Sequence, residues 1–117
     1  MGGKKAVREI VFPITSYEEY QSIITNETDK VFVIDYHLEW CGPCQVIEPS
    51  FRSIFFSIEE PDSRIAFHTL NIDLLPKEES DLLDLDAKPL FRVFKNSGNQ
   101  GEVRGVKVNE IHAIITQ

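Results

Sequence analysis

Val31-Phe32-Val33-Ile34, continuing through Asp35-Tyr36-His37-Leu38-Glu39 into Trp40-Cys41-Gly42-Pro43-Cys44, is the stretch that decides the fold. Its opening apolar run reads as a strand buried on both faces of a sheet. A long helix is expected to begin near Cys41. Ile47, Phe51, Ile54, Phe55 and Ile58 follow at offsets of 0, 4, 7, 8 and 11, which is one helical stripe. Pro49 lies inside that helix and is expected to kink it, since it removes a hydrogen bond and crowds the preceding turn. The only two cysteines of the chain therefore stand where a strand gives way to a helix. Free amides and the helix dipole favour a thiolate at Cys41. Cys44, nearly one turn on, can reach the Cys41 sulfur once a mixed disulfide has formed. Gly42 and Pro43 suit the tight first turn, where a proline's missing amide has no helical partner to lose. The thiolate is the attacking species, so Cys41 reads as the nucleophile and Cys44 as the resolving thiol.

Outward from this centre the elements alternate. Val7 to Phe12 is a short β-rich run, ended by Pro13. Ser16-Tyr17-Glu18-Glu19 has capping-box spacing, with Ser16 as N-cap and Glu19 reaching back to its amide. Tyr20, Ile23 and Ile24 give that helix an apolar face, and Asn26 to Lys30 reads as a turn. After the long helix, Glu59 to Ser63 reads as a loop, Ile65 to Ile72 as a third strand and Pro76 to Leu85 as a short acidic helix. Leu90 to Phe94 and Glu102 to Val108 read as a closing hairpin around Asn96-Ser97-Gly98-Asn99. Asn109 is placed to cap a final helix carrying Ile111, Ile114 and Ile115. The order β-α-β-α-β-α-β-β-α predicts an α/β domain spanning residues 1–117. Its centre is a mixed sheet of about five strands with helices on both faces.

Composition narrows the function. At 117 residues, 42% hydrophobic and 26% charged, the chain fits one domain that needs no metal or disulfide to fold. A formal net charge of -7 argues against nucleic acid, whose phosphates require a basic surface. No apolar run approaches the roughly 20 residues that span a bilayer. Met1-Gly2-Gly3-Lys4-Lys5-Ala6 lacks the apolar core of a signal peptide, and Ala6 stands where a myristoylation signal wants Ser or Thr. These features predict a soluble, cytoplasmic protein of a reducing compartment. Zinc is not expected: two cysteines supply half a tetrahedral site, and His37, His68 and His112 have no finger-like spacing.

Trp40-Cys41-Gly42-Pro43-Cys44 resembles the active-site motif of the thioredoxin family, and the resemblance runs over nearly the whole chain. Asp35-Tyr36-His37-Leu38-Glu39 resembles the family's Asp-Phe-Trp-Ala-x stretch. Pro49 matches its kinking proline, Asn71-Ile72-Asp73 its third-strand ending, Lys88-Pro89-Leu90 its cis-proline segment, Phe94-Lys95-Asn96 its hairpin entry and Gly105 a late glycine. The resemblance implies a thioredoxin fold and a dithiol-disulfide oxidoreductase. It needs no bound organic cofactor or metal, acts on protein disulfides and is restored by a thioredoxin-reductase-like reductant. It further implies that Asp35 is a buried acid of raised pKa, accepting the Cys44 proton through water. Trp40, Gly42, Pro43, Ile72, Lys88, Pro89 and Val106 would line the substrate groove, with Pro89 cis and opposite the sulfurs.

Four positions depart from the family pattern. Thr69 stands where a lysine usually pairs the buried acid, which leaves the Asp35 carboxyl harder to ionise. His37 replaces a tryptophan, and Lys88 a neutral residue. Phe56, about 180° around the helix from the Ile47 stripe at about 100° per residue, is an exposed aromatic placed to meet a partner. His68 and His112 are expected to have no chemical role. A second resemblance is to the thioredoxin-like light chains of axonemal outer-arm dynein. It rests on the motif through Ser50-Phe51-Arg52, the loop Glu59-Glu60-Pro61-Asp62-Ser63 and Phe67-His68. It implies a subunit bound to a dynein heavy or intermediate chain in a cilium or flagellum, with a structural or redox-sensing role.

Overall fold

The computed structural model describes residues 8–38, 42–85 and 89–116, with the backbone alone at 42–46. Five strands form one mixed sheet: β1 (Val11–Pro13), β2 (Val31–His37), β3 (Ile65–Asn71), β4 (Leu90–Lys95) and β5 (Gly98–Arg104). Their spatial order is β1-β3-β2-β4-β5; β1, β3 and β2 run parallel, while β4 and β5 pair antiparallel. Helices α1 (Tyr17–Ile24), α2 (Gly42–Ser57), α3 (Pro61–Arg64), α4 (Lys77–Leu83) and α5 (Val108–Ile115) complete the thioredoxin fold that the sequence predicts.

Strand β2 is central, and its alternation divides the core. Val33 joins Phe67, Phe91, Val93 and Val103 against Ile47, Phe51, Ile54 and Phe55 of α2 and Ile111 of α5. Phe32, Ile34 and Tyr36 join Leu70, Leu90 and Phe94 against Tyr20 of α1 and Leu83 of α4. The apolar stripe expected on α2 is thus the face that packs on the sheet, and the helix continues through Pro49. Phe51 anchors it, stacking on Phe67 at 4.4 Å between centroids and meeting Phe91 edge-on at 5.9 Å.

Several boundaries differ from expectation, each for a local reason. The paired part of β1 starts at Val11 and includes Pro13. The Ile14 amide donates to Thr69 O at 2.8 Å, so in the strand alternation Pro13 N faces the open edge, where no amide is required. Ser16 caps α1 through the Glu19 amide at 3.1 Å, as expected, but the Glu19 carboxylate accepts from the Thr15 amide at 2.8 Å instead of that of Ser16. Within the expected loop Glu59–Ser63, Pro61 opens the one-turn α3, its fixed φ suiting a first helical position. β3 stops at Asn71, whose side chain accepts from the Asp73 amide at 2.9 Å and turns the chain into a 3₁₀ segment, Ile72–Leu74. Helix α4 ends at Leu83, and Asp84 caps it in a left-handed conformation with φ 50°.

The hairpin is tighter than its composition suggests. Asn96 and Ser97 both take positive φ, 52° and 64°, and form a two-residue turn, so β5 begins at Gly98 and not at Glu102. It ends at Arg104 because Gly105, at φ 88°, turns the chain away. A side chain at Gly101 would meet Ile114 of α5 at 3.0 Å, so the bare glycine lets α5 close on the sheet. Asn109 does not cap α5. The helix begins one residue earlier, and the amides of Glu110 and Ile111 both reach Lys107 O at 3.1 Å. Among the described residues, no helix is long and apolar enough to cross a membrane.

Phe51 fills the junction of α2 with β3 and β4, so Phe51→Ala is expected to destabilise the protein by about 3–5 kcal/mol. Urea unfolding followed by circular dichroism measures it as a lowered midpoint at unchanged slope.

Candidate functional site

Strand register brings the ends of β2, β3 and β5 and the start of β4 together at one end of the sheet. His37, at the end of β2, pairs with Asn71 at the end of β3, and Tyr36 pairs with Leu90 at the start of β4. Leu90 pairs in turn with Arg104, the last residue of β5. Ile72, Pro89 and Val106 lie next to or close by these ends in the chain. Ile72 is half-buried in its 3₁₀ turn, Val106 is exposed, and Pro89 is buried, its carbonyl accepting the Gly105 amide at 2.8 Å. The loop from β2 to the first residue of α2 leaves from the same end. Trp40, Cys41 and Lys88 lie outside the described residues, and with Lys88 the Lys88–Pro89 peptide bond. Gly42, Pro43 and Cys44 are described by their backbone alone.

That backbone places the start of the helix. Helix α2 begins at Gly42, immediately after Cys41 in sequence, and Cys44 stands in its first turn. The first four amides of a helix have no intrahelical acceptor, so this is a region of positive potential that favours an anion.

Asp35 is the site's buried ionisable group, with no exposed surface. It shares the α2-facing side of β2 with Val33, two residues before it, and its register partners are Thr69 on β3 and Phe91 on β4. Burial among these side chains raises its pKa from 3.8 to about 7, because a carboxylate is poorly solvated there. A carboxyl that titrates near neutrality can both take and return a proton at physiological pH. The position of Thr69 beside Asp35, expected from the sequence, is thus met in the strand register.

Other expected residues fall elsewhere. Phe56 is exposed as anticipated, its ring under the Arg52 guanidinium at 5.6 Å and edge-on to Phe55 at 5.1 Å. It lies fourteen residues along α2 from Gly42, about 21 Å at 1.5 Å per residue, and does not belong to the site. His37 sits at the site end with Nδ1 against its neighbour's carbonyl, Leu38 O. His68 stacks on Phe32 at 6.2 Å, and burial lowers its pKa; His112 is exposed on α5. Neither is at the site. Leu38, 44% exposed at the end of β2, is an apolar residue of the site end that sequence reasoning missed. A lone leucine after a strand carries no pattern to mark it.

The Thioredoxin family model matches residues 11–117. The thioredoxin of Malassezia sympodialis is 33% identical over 107 residues, covering 89% of this chain and 94% of that protein. That of Rattus norvegicus is 29% identical over 104 residues, covering 89% and 94%. The solved Malassezia sympodialis thioredoxin superposes with a TM-score of 0.66 at 31% identity, covering 100% of this chain and 97% of that one. These relatives lend no support to the dynein-subunit resemblance. With a family match that runs from β1 through α5, and a solved thioredoxin that superposes along the whole chain, the protein belongs to the thioredoxin family.

Proposed function

We propose that the protein is a thiol-disulfide oxidoreductase in which Cys41 and Cys44 reduce or exchange protein disulfides. Kinship with the thioredoxins supports an oxidoreductase role of this class. The observation that carries the assignment to this pair is the buried Asp35, poised near neutrality on the strand that feeds α2.

In the proposed sequence the Cys41 thiolate attacks one sulfur of a substrate disulfide. The S–S bond breaks, a mixed disulfide forms, and the departing thiolate takes a proton. Asp35, acting through water, accepts the Cys44 proton. Cys44 then attacks the Cys41 sulfur, releasing the second substrate thiol and closing a Cys41–Cys44 disulfide. Two electrons have passed to the substrate, and a reductant of the thioredoxin-reductase class must return them. The steps require no bound organic cofactor or metal. Trp40, Gly42, Pro43, Ile72, Lys88, Pro89 and Val106 form the surface that receives the substrate strand, with the backbone before Pro89 offering main-chain hydrogen bonds.

Insulin reduction coupled to a thioredoxin reductase tests this. Cys41→Ser is expected to abolish turnover, and Cys44→Ser to accumulate a covalent substrate adduct on non-reducing gels. Turnover that survives in Cys41→Ser would sink the assignment.

Asp35 also links stability to pH. Below about pH 4 its carboxyl is protonated in both folded and unfolded chains. Between about pH 4 and 7 only the unfolded chain ionises, so stability falls as pH rises through this window. Above it the folded state is destabilised by about 4 kcal/mol, the free-energy equivalent of the raised pKa. Asp35→Asn is therefore expected to be the more stable protein at pH 8, by up to that amount, while the two converge near pH 4. Its release of trapped mixed disulfide should be slowed.

Thr69→Lys places an ammonium beside the same carboxyl. The pH midpoint of the Cys44-dependent step, read by stopped-flow fluorescence, is expected to fall by roughly one to three units. An unmoved midpoint would show that position 69 does not set the acid's strength.

A further inference from the structure

Helix α4 buries Leu83 and turns Leu82 outward, 83% exposed and the most exposed large apolar side chain among the described residues. Leu82 does not stand alone. With Tyr20, Leu75 and Leu83 it lines a groove of about 210 Å³, which Glu79 and Arg92 border. That is room for one large apolar side chain.

The groove lies in an acidic field. Glu78, Glu79 and Asp81 are on α4, Asp84 ends it and Asp73 precedes it. Among the described residues, Lys77, Arg92 and Arg104 stand near this field, and each is already engaged. Lys77 pairs with Asp81 at 3.0 Å. Arg92 pairs with Glu102 at 3.0 Å and lies over the Tyr36 ring. Arg104 holds the carbonyls of Leu83 and Asp84 at 2.6 and 3.1 Å, satisfying the end of α4. Glu78, Asp73 and Asp84 have no cationic partner among the described residues.

We infer that this groove docks a segment of a partner protein in which a large apolar residue is flanked by lysines or arginines. The apolar side chain enters between Leu82, Leu75 and Tyr20, and its basic neighbours meet the carboxylates of α4. Charge complementarity selects the occupant: an acidic segment would face repulsion, and a neutral one would leave the carboxylates unanswered. Along the chain, Leu75 of the groove follows Ile72 of the proposed substrate surface by three residues. In taking the partner to be a disulfide substrate, this inference rests on the oxidoreductase reading.

A short disulfide-free peptide with a central Lys-Leu-Lys, titrated into ¹⁵N-labelled protein, tests docking apart from redox chemistry. Amide shifts are expected at Leu75, Glu79, Leu82, Leu83 and Arg92. Binding should weaken roughly tenfold for a Lys-Ser-Lys peptide and for the Leu82→Ser variant, since one buried leucine side chain carries that much. Glu78→Lys should weaken it further, and a Glu-Leu-Glu peptide should not bind. Leu82 is exposed, so its substitution leaves the core untouched. Equal affinity for all three peptides, or shifts confined to other surfaces, overturns the inference. So does concentration-dependent dimerisation that Leu82→Ser abolishes, which would make the groove a contact between two copies. Insulin turnover separates the two readings: peptide docking without turnover removes the redox role and leaves the groove, and turnover without docking does the reverse.

Discussion

The position of β2 between β3 and β4 is the constraint on which the rest of the molecule depends. A strand with neighbours on both edges and helices on both faces has no solvated side. Phe32, Ile34 and Tyr36 must fill one core and Val33 the other. The same alternation delivers Asp35 to the α2 side, where it is as buried as the valine before it. Burying a carboxyl there opposes folding, whereas each neighbouring apolar side chain favours it by about 1.5–3 kcal/mol. The strand's apolar residues outweigh its one acid, so the fold can hold a group that solvent would otherwise keep ionised.

The two faces of the sheet are chemically unlike. Towards α2 and α5 the core is a phenylalanine cluster around Phe51, Phe67 and Phe91. Towards α1 and α4 it admits polar atoms: the hydroxyls of Tyr20 and Tyr36 meet at 2.8 Å, and Arg92 lies over the Tyr36 ring. Tyrosine hydroxyls can be buried cheaply when each serves the other. Asp35 faces the aromatic cluster, and that placement is why desolvation governs its titration. Had the register of β2 slipped by one residue, the acid would have faced α1 and α4 instead of α2.

Much of this was legible in the sequence, and its limits are instructive. Val31 to Ile34 read as a doubly buried strand because an uninterrupted apolar run has few other uses, and α2 was visible in the spacing of Ile47 to Ile58. Ser16 announced the start of α1 through a local side-chain bond that needs no tertiary partner. The misplaced boundaries share the opposite property. Gly98, Asn99 and Gln100 have little strand propensity and are held in β5 by pairing with β4. Pro13 stays in β1 because its nitrogen faces an open edge, a fact of sheet order. Asn109 resembles a cap, but α5 begins where the turn after Gly105 delivers the chain. At the site, Asp35 was legible from its place at the end of an apolar run. Leu38 and Leu82 were not, since a single leucine is read as core until the fold shows it outside.

The pairing of Asp35 with Thr69 ties the sheet to the proposed chemistry. Both residues face the α2 side in register, so whatever occupies position 69 adjoins the acid through the backbone spacing of two parallel strands. Strand spacing is nearly invariant, so the strength of the carboxyl can be altered there by side-chain charge without moving the acid. A hydroxyl-bearing threonine adds no positive charge, and desolvation is left as the main determinant of a pKa near neutrality. An acid of that strength shifts most between its two forms when the surrounding pH crosses 7. The same carboxyl that accepts a thiol proton in the proposed reaction therefore makes both folding stability and the resolving step respond to pH, through one buried group whose environment two neighbouring strands define.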